Sequence, residues 1–414
     1  MKIKYDNLYE NIIYIILFIL SINITIKSVV VVAFLTALTM ILYVSDTTRY
    51  HNKQKWLSLY VWGIYLLFIL EFIRNNYINT TKVDNSFIIY IYSEVLLVIL
   101  AYPIFNLLCV KRKKFLLNIV KIGYLSLIIR TFFWILNNFF HMSSLFYKLG
   151  FGRAGWGRKI GSLLLERASG TYLDGLLFCC TLILLFEARK LNNKIKAGLG
   201  IIFLLFFTTV VYQSRFQLII YILLIITCLL YFSFKTKKNK IITIFLLFLF
   251  LATLVMFFKD KIQNFLLSFS IYSENSSSTV TRIAEYSYFK DLWHSTSIWW
   301  GAGFISDANN GILYQYGPFT LRLFVSDVGI LMQLYEFGII GFILSLIPLI
   351  KGIVQIIECW TFPLDSYNGF IILISTYLII SSFSFNPYTY ALAPFLPIYV
   401  GILMNFGNKK NNNN

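Results

Sequence analysis

Apolar runs long enough to cross about 30 Å of hydrocarbon as a helix recur along the chain from residue 11 to residue 405. The pattern places spans near 11–26, 28–45, 57–73, 86–110, 115–140, 170–187, 197–212, 214–234, 241–258, 327–350, 368–384 and 391–406. In lipid a backbone must satisfy its own polar groups, so each run is expected to be a helix. A β-barrel would alternate apolar and polar positions, and runs such as "IITIFLLFLFLATLVMFF" (241–258) do not alternate. The expected fold is therefore all-α: a polytopic integral membrane protein of about twelve transmembrane helices. The first run is followed at once by a second, so it reads as a retained helix rather than a cleaved signal.

The connectors give the orientation. Basic clusters "RYHNKQK" (49–55), "KRKK" (111–114), "RKLNNKIK" (189–196) and "KTKKNK" (235–240) fall in alternate connectors, in phase with "MKIK" at the start and "GNKK" near the end. Lys and Arg are retained on the cytoplasmic side, so this set is expected to be cytoplasmic. Two connectors on the opposite face are long, 141–169 and 259–326. The chain divides accordingly into a transmembrane bundle (1–258), a large late external loop (259–326) and C-terminal helices with a cytoplasmic tail (327–414). Within the loop, "TVTRIAEYSYFKDLW" (279–293) reads as a short amphipathic helix and "GAGFISDANNG" (301–311) as a glycine-bearing loop. Function tends to concentrate on long loops held by a rigid scaffold.

Composition agrees with a membrane setting. The chain is 58% hydrophobic and only 13% charged, about half the charge of a soluble domain. Its formal charge of +18 sits in short clusters between apolar runs, so it marks topology and not nucleic-acid binding. The cysteines (Cys109, Cys179, Cys180, Cys228, Cys359) show neither a disulfide framework nor a CxxC metal pattern, and the three histidines are scattered. No metal or cofactor is expected.

The two kinds of cation are distributed unevenly. On this topology the cytoplasmic side is lysine-rich, with only Arg49, Arg112 and Arg189. The external side carries Arg74, Arg153, Arg158, Arg167, Arg215, Arg282 and Arg322, while Lys121 and Arg130 lie within the fifth span. Lysine suffices for topology, whereas arginine offers a planar fork that grips phosphate or carboxylate. The asymmetry suggests an anionic ligand outside; the alternative is headgroup contact and pairing with Glu166, Glu285 and Asp327. Arg215 stands out because it lies where two apolar spans meet with almost no connector, and charge there is costly unless it faces the protein or a wet cavity.

Several segments carry a resemblance. "GAGF" (301–304) followed by "SDVGILMQLYEFGIIGF" (326–342) resembles the C-terminal signature of bacterial O-antigen polymerases and ligases, whose late external loop ends in an acid-x-Gly helix like "EFGIIG" (336–341). "YQSRFQLII" (212–220) is similar to their Ser-Arg motif, and "ERASGTYLDG" (166–175) to their Arg-x-Ser-Gly stretch. In the ligases the helix before the acid-x-Gly element opens with a histidine taken as catalytic. Asp327 stands at that place here, which favours the polymerase branch.

The resemblance implies a metal-independent membrane glycosyltransferase of the bacterial inner membrane, with its active site facing the periplasm. It would move a growing glycan from undecaprenyl pyrophosphate onto a lipid-linked oligosaccharide repeat unit. Expected partners are that lipid-linked oligosaccharide, membrane lipids and a chain-length regulator protein, with no nucleic acid. Arg215 is the expected pyrophosphate ligand. Arg282 and Glu285, three apart on one helix face, either bind donor phosphate and acceptor or pair with each other. Asp327 is a base, a helix N-cap, or both. Arg153, Arg158, Arg167, Asp174, Arg322 and Glu336 complete the substrate-binding set, with Glu336 read as a structural hydrogen-bond partner as well. Trp293, Trp299 and Trp300 read as interfacial belt, or as a stacking surface for sugars. The competing functions are an O-antigen ligase and a flippase for lipid-linked oligosaccharide. A flippase should carry its charges near mid-membrane and show two related halves.

Overall fold

The computed structural model describes residues 2–22, 29–49, 55–78, 83–85, 88–89, 93–160, 163–235, 277–305, 312–316, 319–362, 365–384, 387–388 and 393–406. The expected ninth span (241–258) and the loop 306–311 lie outside the described residues.

Helices α1 (Lys2–Ser21), α2 (Val29–Arg49) and α3 (Lys55–Tyr77) precede a 3-10 segment, Ser93–Leu100, which runs into α4 (Ala101–Phe140). A short α5 (Ser143–Lys148) and an antiparallel hairpin, β1 (Gly152–Ile160) with β2 (Leu163–Ala168), lead to α6 (Tyr172–Glu187). Helix α7 (Leu191–Phe206) ends in a π-helical turn, Phe207–Val211, before α8 (Arg215–Lys235). Then come α9 (Ser277–Ser295), a second hairpin of β3 (Ile312–Tyr316) and β4 (Phe319–Leu323), α10 (Leu331–Thr361), α11 (Ser366–Ser382) and α12 (Leu396–Phe406).

Among the described residues five helical stretches are long and apolar enough to cross a membrane: Lys55–Tyr77, Val95–Phe140, Leu191–Val211, Arg215–Ser233 and Leu331–Thr361. Shorter apolar helices cover Leu8–Ser21, Val30–Ser45, Ser366–Ser382 and Leu396–Asn405. The chain is thus a largely helical protein of membrane type. Two departures from the sequence reading are structural. Both long connectors contain β-hairpins where short helices or open loop were expected. The expected spans 86–110 and 115–140 are joined without a loop; "KRKK" lies inside α4, whose backbone leaves the helical region only at Lys111 (φ −133°, ψ 39°). One non-helical residue is enough to break the axis, so no connector is needed.

The core is built from helices apolar on every side, which is the signature of a central helix. In α6 every residue from Tyr172 to Ile183 is buried, and α11 is buried over most of its length. Glycines let these two helices approach closely: Gly175 faces the Tyr377 ring, and a Cβ on Gly369 would meet Ile183 and Tyr231 at 3.1 Å. Helix starts follow local chemistry. The Thr171 N–H donates to Asp174 Oδ2 (2.9 Å) at the head of α6, and Asp365 accepts from the Tyr367 N–H (3.3 Å) at the head of α11. Helices from both sides of the late loop share one core: Tyr399 donates to the Tyr172 carbonyl (2.8 Å) and Asn405 to the Phe105 carbonyl (3.2 Å).

Candidate functional site

The first group of charges forms around Arg130, the largest fully buried side chain among the described residues. Its guanidinium holds Asp174 bidentately, with Nη1 to Oδ2 at 3.0 Å and Nη2 to Oδ1. Nη1 also donates to the Ser169 carbonyl (3.2 Å), and the group lies over the Phe207 ring at 4.8 Å. Arg130 therefore ties α4 to the turn after β2, to the head of α6 and to the π-helical turn. Asp174 has both oxygens engaged inside the protein and serves this anchor. Sequence reading left Arg130 without a role; the available signal was a charge inside a span with a carboxylate at the head of the next one.

That anchored turn carries two of the arginine-bearing segments. A Cβ on Gly170 would meet the Tyr212 ring at 2.5 Å, so "RASG" and "YQSR" lie directly against each other. Gln213, in the left-handed region at φ 55°, donates from Nε2 to the Leu165 carbonyl (3.2 Å). Tyr212 is within electrostatic reach of Arg167, Asp174 and Arg130. The π-helical turn and the left-handed Gln213 reverse the chain within a few residues, so that α8 opens at Arg215 on the same patch. Arg167 and Arg215 are both half-buried, and Gln217 donates to the Tyr377 hydroxyl (3.2 Å).

The first hairpin is clamped to α4 by Glu166. Its Oε2 accepts from Asn137 (3.0 Å) and from the Tyr147 hydroxyl, and its carbonyl accepts from Trp134 Nε1 (2.6 Å). Burial and the Glu166 carboxylate push the Tyr147 hydroxyl up to about 12. Arg153 and Arg158 lie on β1, with Arg158 opposite Leu165; for these two the structure describes backbone only.

The second group lies around α9 and α10. Glu285 is fully buried and accepts from the Phe324 N–H at 3.0 Å, which fixes the end of β4 onto α9. Arg282, one turn earlier and exposed, donates to Ser384 Oγ (3.0 Å) just beyond α11. Asp327 is exposed in a 3-10 turn, Val325–Val328, and α10 begins at Leu331 with Ile330 in the capping position. The N-cap expectation for Asp327 is thus corrected: Val328, Gly329 and Ile330 intervene, and the Ile330 N–H is bonded to the Ser382 carbonyl (2.8 Å). Tyr286 feels Arg282, Glu285 and Asp327 together; burial raises its hydroxyl against the opposing pull of Arg282. Arg322 is exposed on β4, opposite Leu313.

The "GAGF" and "EFGIIG" segments interlock backbone to backbone. Helix α10 breaks at Gly338 (φ 63°, ψ −162°), a conformation open in practice to glycine alone. The groups freed there pair with the loop before β3: Ala302 N–H donates to the Tyr335 carbonyl (2.9 Å), Gly303 N–H to the Glu336 carbonyl (2.8 Å) and Ile339 N–H to the Ile298 carbonyl (3.1 Å). The buried Glu336 carboxylate accepts from the Ile305 N–H (3.2 Å), as its structural reading expects. From α3, Arg74 reaches the Trp300 and Gly301 carbonyls (2.6 and 2.7 Å) and Glu71 (3.1 Å). This clamp also went unread, since nothing local marks a partner more than two hundred residues away.

The end of α11 stands between the two groups. The Tyr172 ring, beside the first, packs edge-on against Tyr377 of that helix at 5.6 Å. The second is tied to the Ser382 carbonyl and to Ser384. Such an arrangement offers arginine forks to an anion at helix ends, with carboxylates a short way off. Among the described residues no group of three or more His, Cys, Asp or Glu side chains is arranged to hold a metal ion. Comparison with family models and with curated proteins finds no match.

Proposed function

We propose that this chain is a polymerase of lipid-linked oligosaccharide repeat units, acting at the outer face of a bacterial inner membrane. The observation that carries the reading is the packing of "RASG" on "YQSR" through Gly170 and Tyr212, with the buried Arg130 bonded to the Ser169 carbonyl and lying over Phe207 in the turn that precedes "YQSR". It brings two segments of the resemblance onto one patch although they are far apart in sequence.

The reaction breaks the bond between the anomeric carbon of the growing glycan and its pyrophosphate oxygen. A hydroxyl oxygen of the next repeat unit forms the new bond and gives up its proton. Undecaprenyl pyrophosphate leaves with growing negative charge. Arginine forks at Arg167 and Arg215 are suited to hold that charge, because donors preorganised in a water-poor site cost no reorganisation as it develops. Arg282 and Arg322 then serve the glycan or the second phosphate-bearing substrate. Asp327, exposed near Arg282 and Tyr286, is the carboxylate available to take the acceptor proton. Glu285 and Glu336 hold the loop. The polyprenyl tail stays in lipid, and a chain-length regulator is a further partner on this reading.

The test is complementation of a deletion strain, reading the length of surface polysaccharide on gels with protein abundance checked by blot. Arg215→Lys keeps the charge but loses the planar fork, and should leave single-repeat product at normal abundance. Long chains from a well-expressed Arg215→Lys variant would remove the pyrophosphate-ligand role. A deletion strain that attaches no repeat at all would point to a flippase.

A further inference from the structure

The lysine-rich end of the bundle holds an arginine that topology alone does not require. Within "KRKK", Glu10 of α1 takes Lys114 (2.7 Å) and Lys111, both as ion pairs. Neither Arg112 nor Lys113 has a carboxylate partner among the described residues, so four cations share one acid. The Arg112 guanidinium lies over the ring of Tyr367 at 3.9 Å, and its buried Nε has no hydrogen-bond partner among the described residues. The nearest acid in sequence to Tyr367, Asp365, accepts the Tyr367 N–H at the head of α11. Lys113 is exposed.

The depth of this cluster is marked by its neighbours. Trp360 packs edge-on against Tyr231 at 5.7 Å, and Tyr231 donates to the Asp365 carbonyl (3.2 Å). Trp and Tyr at such an end are characteristic of headgroup level. An arginine stacked on an aromatic face has its plane fixed, which leaves the edge of the fork to donate and lessens the entropy lost on binding.

We propose that Arg112, held flat on Tyr367 beside Lys113, is a binding site for a phosphate anion, supplied by the headgroup of an anionic lipid in the leaflet at the lysine-rich end. The shared chemistry is a phosphodiester gripped by the fork, with Lys113 as a second charge. The site lies at the opposite end of the bundle from the Arg167–Arg215 patch, so it stands apart from the proposed polymerase reaction.

The experiment uses the full-length protein in nanodiscs or mixed micelles of phosphatidylcholine with rising phosphatidylglycerol, reading lipid retained by native mass spectrometry and the unfolding temperature. Wild type should retain phosphatidylglycerol and gain unfolding temperature with it. Arg112→Gln and Lys113→Gln should each weaken retention about fivefold, whereas Lys55→Gln, an exposed lysine at the head of α3, should not. Arg112→Lys keeps charge and should still lose much of the effect. Unfolding temperature in pure phosphatidylcholine identifies any variant that fails to fold, and Lys113→Gln, which touches no described partner, then carries the test. Wild-type retention in Arg112→Gln and Lys113→Gln overturns the proposal. Displacement of the lipid by millimolar inorganic phosphate overturns the lipid as the source.

Discussion

Arg130→Ala removes the cation from a pair that has no access to water: Arg130 is 0% and Asp174 4% exposed. The substitution deletes two bonds to Asp174, one to the Ser169 carbonyl and the stacking on Phe207, leaving the carboxylate with the Thr171 N–H. An uncompensated buried charge costs about 3–5 kcal/mol, so Arg130→Ala should lose that much, or be depleted in cells. Asp174→Asn leaves the Arg130 cation buried without its counter-charge and should likewise cost about 3–5 kcal/mol. Replacing both partners, Arg130→Met with Asp174→Leu, should be close to neutral for stability because no charge is left buried. If the pair also holds the turn that carries Arg167, the double variant will be abundant yet fail to restore long polysaccharide. The assay is SDS-titrated unfolding of purified protein, analysed as a double-mutant cycle, beside the gel of surface polysaccharide. Arg130→Ala within about 1 kcal/mol of wild type would refute the buried-anchor argument, and long chains from the double variant would separate the pair from function.

Gly338→Ala forces a side chain into φ 63°, ψ −162° and against the Trp299 backbone; strain of about 1–3 kcal/mol should lower the unfolding temperature, whereas Gly198→Ala, with open space around it, should not. Tyr147 has its hydroxyl raised from 10.0 to about 12 in the folded protein. Its contribution is therefore full below pH 10 and is lost as pH rises through about 12, so the melting difference between wild type and Tyr147→Phe should vanish across that window. Ser287 is exposed on α9. With Cys109 replaced, Ser287→Cys should react with an impermeant thiol reagent on intact spheroplasts; reaction only after lysis would invert the orientation.

Periodicity and charge made much of the architecture legible. Apolar runs without alternation demand helices, because a backbone in lipid has no other way to satisfy its polar groups, and α3, α7, α8, α10 and α11 stand where the runs placed them. The loop helix at 279–293 was legible for a similar reason: Ala284, Glu285 and Phe289 form a buried stripe at helical spacing. The β-hairpins were not, since short strands in a polar connector carry little periodic signal.

Arg215 and Arg167 could be singled out as arginines on a face where lysine would have sufficed. Residue type alone left open which acids were exposed and which turned inward. Asp174 and Glu285 are chemically ordinary carboxylates in the sequence; only folding shows one bound to Arg130 and the other to a backbone N–H. The same holds for Arg74 and Arg130, whose partners come from distant segments. Sequence determines which groups must find partners once water is excluded, and tertiary structure decides which partners they find, because that choice depends on how helices far apart in the chain come to lie side by side.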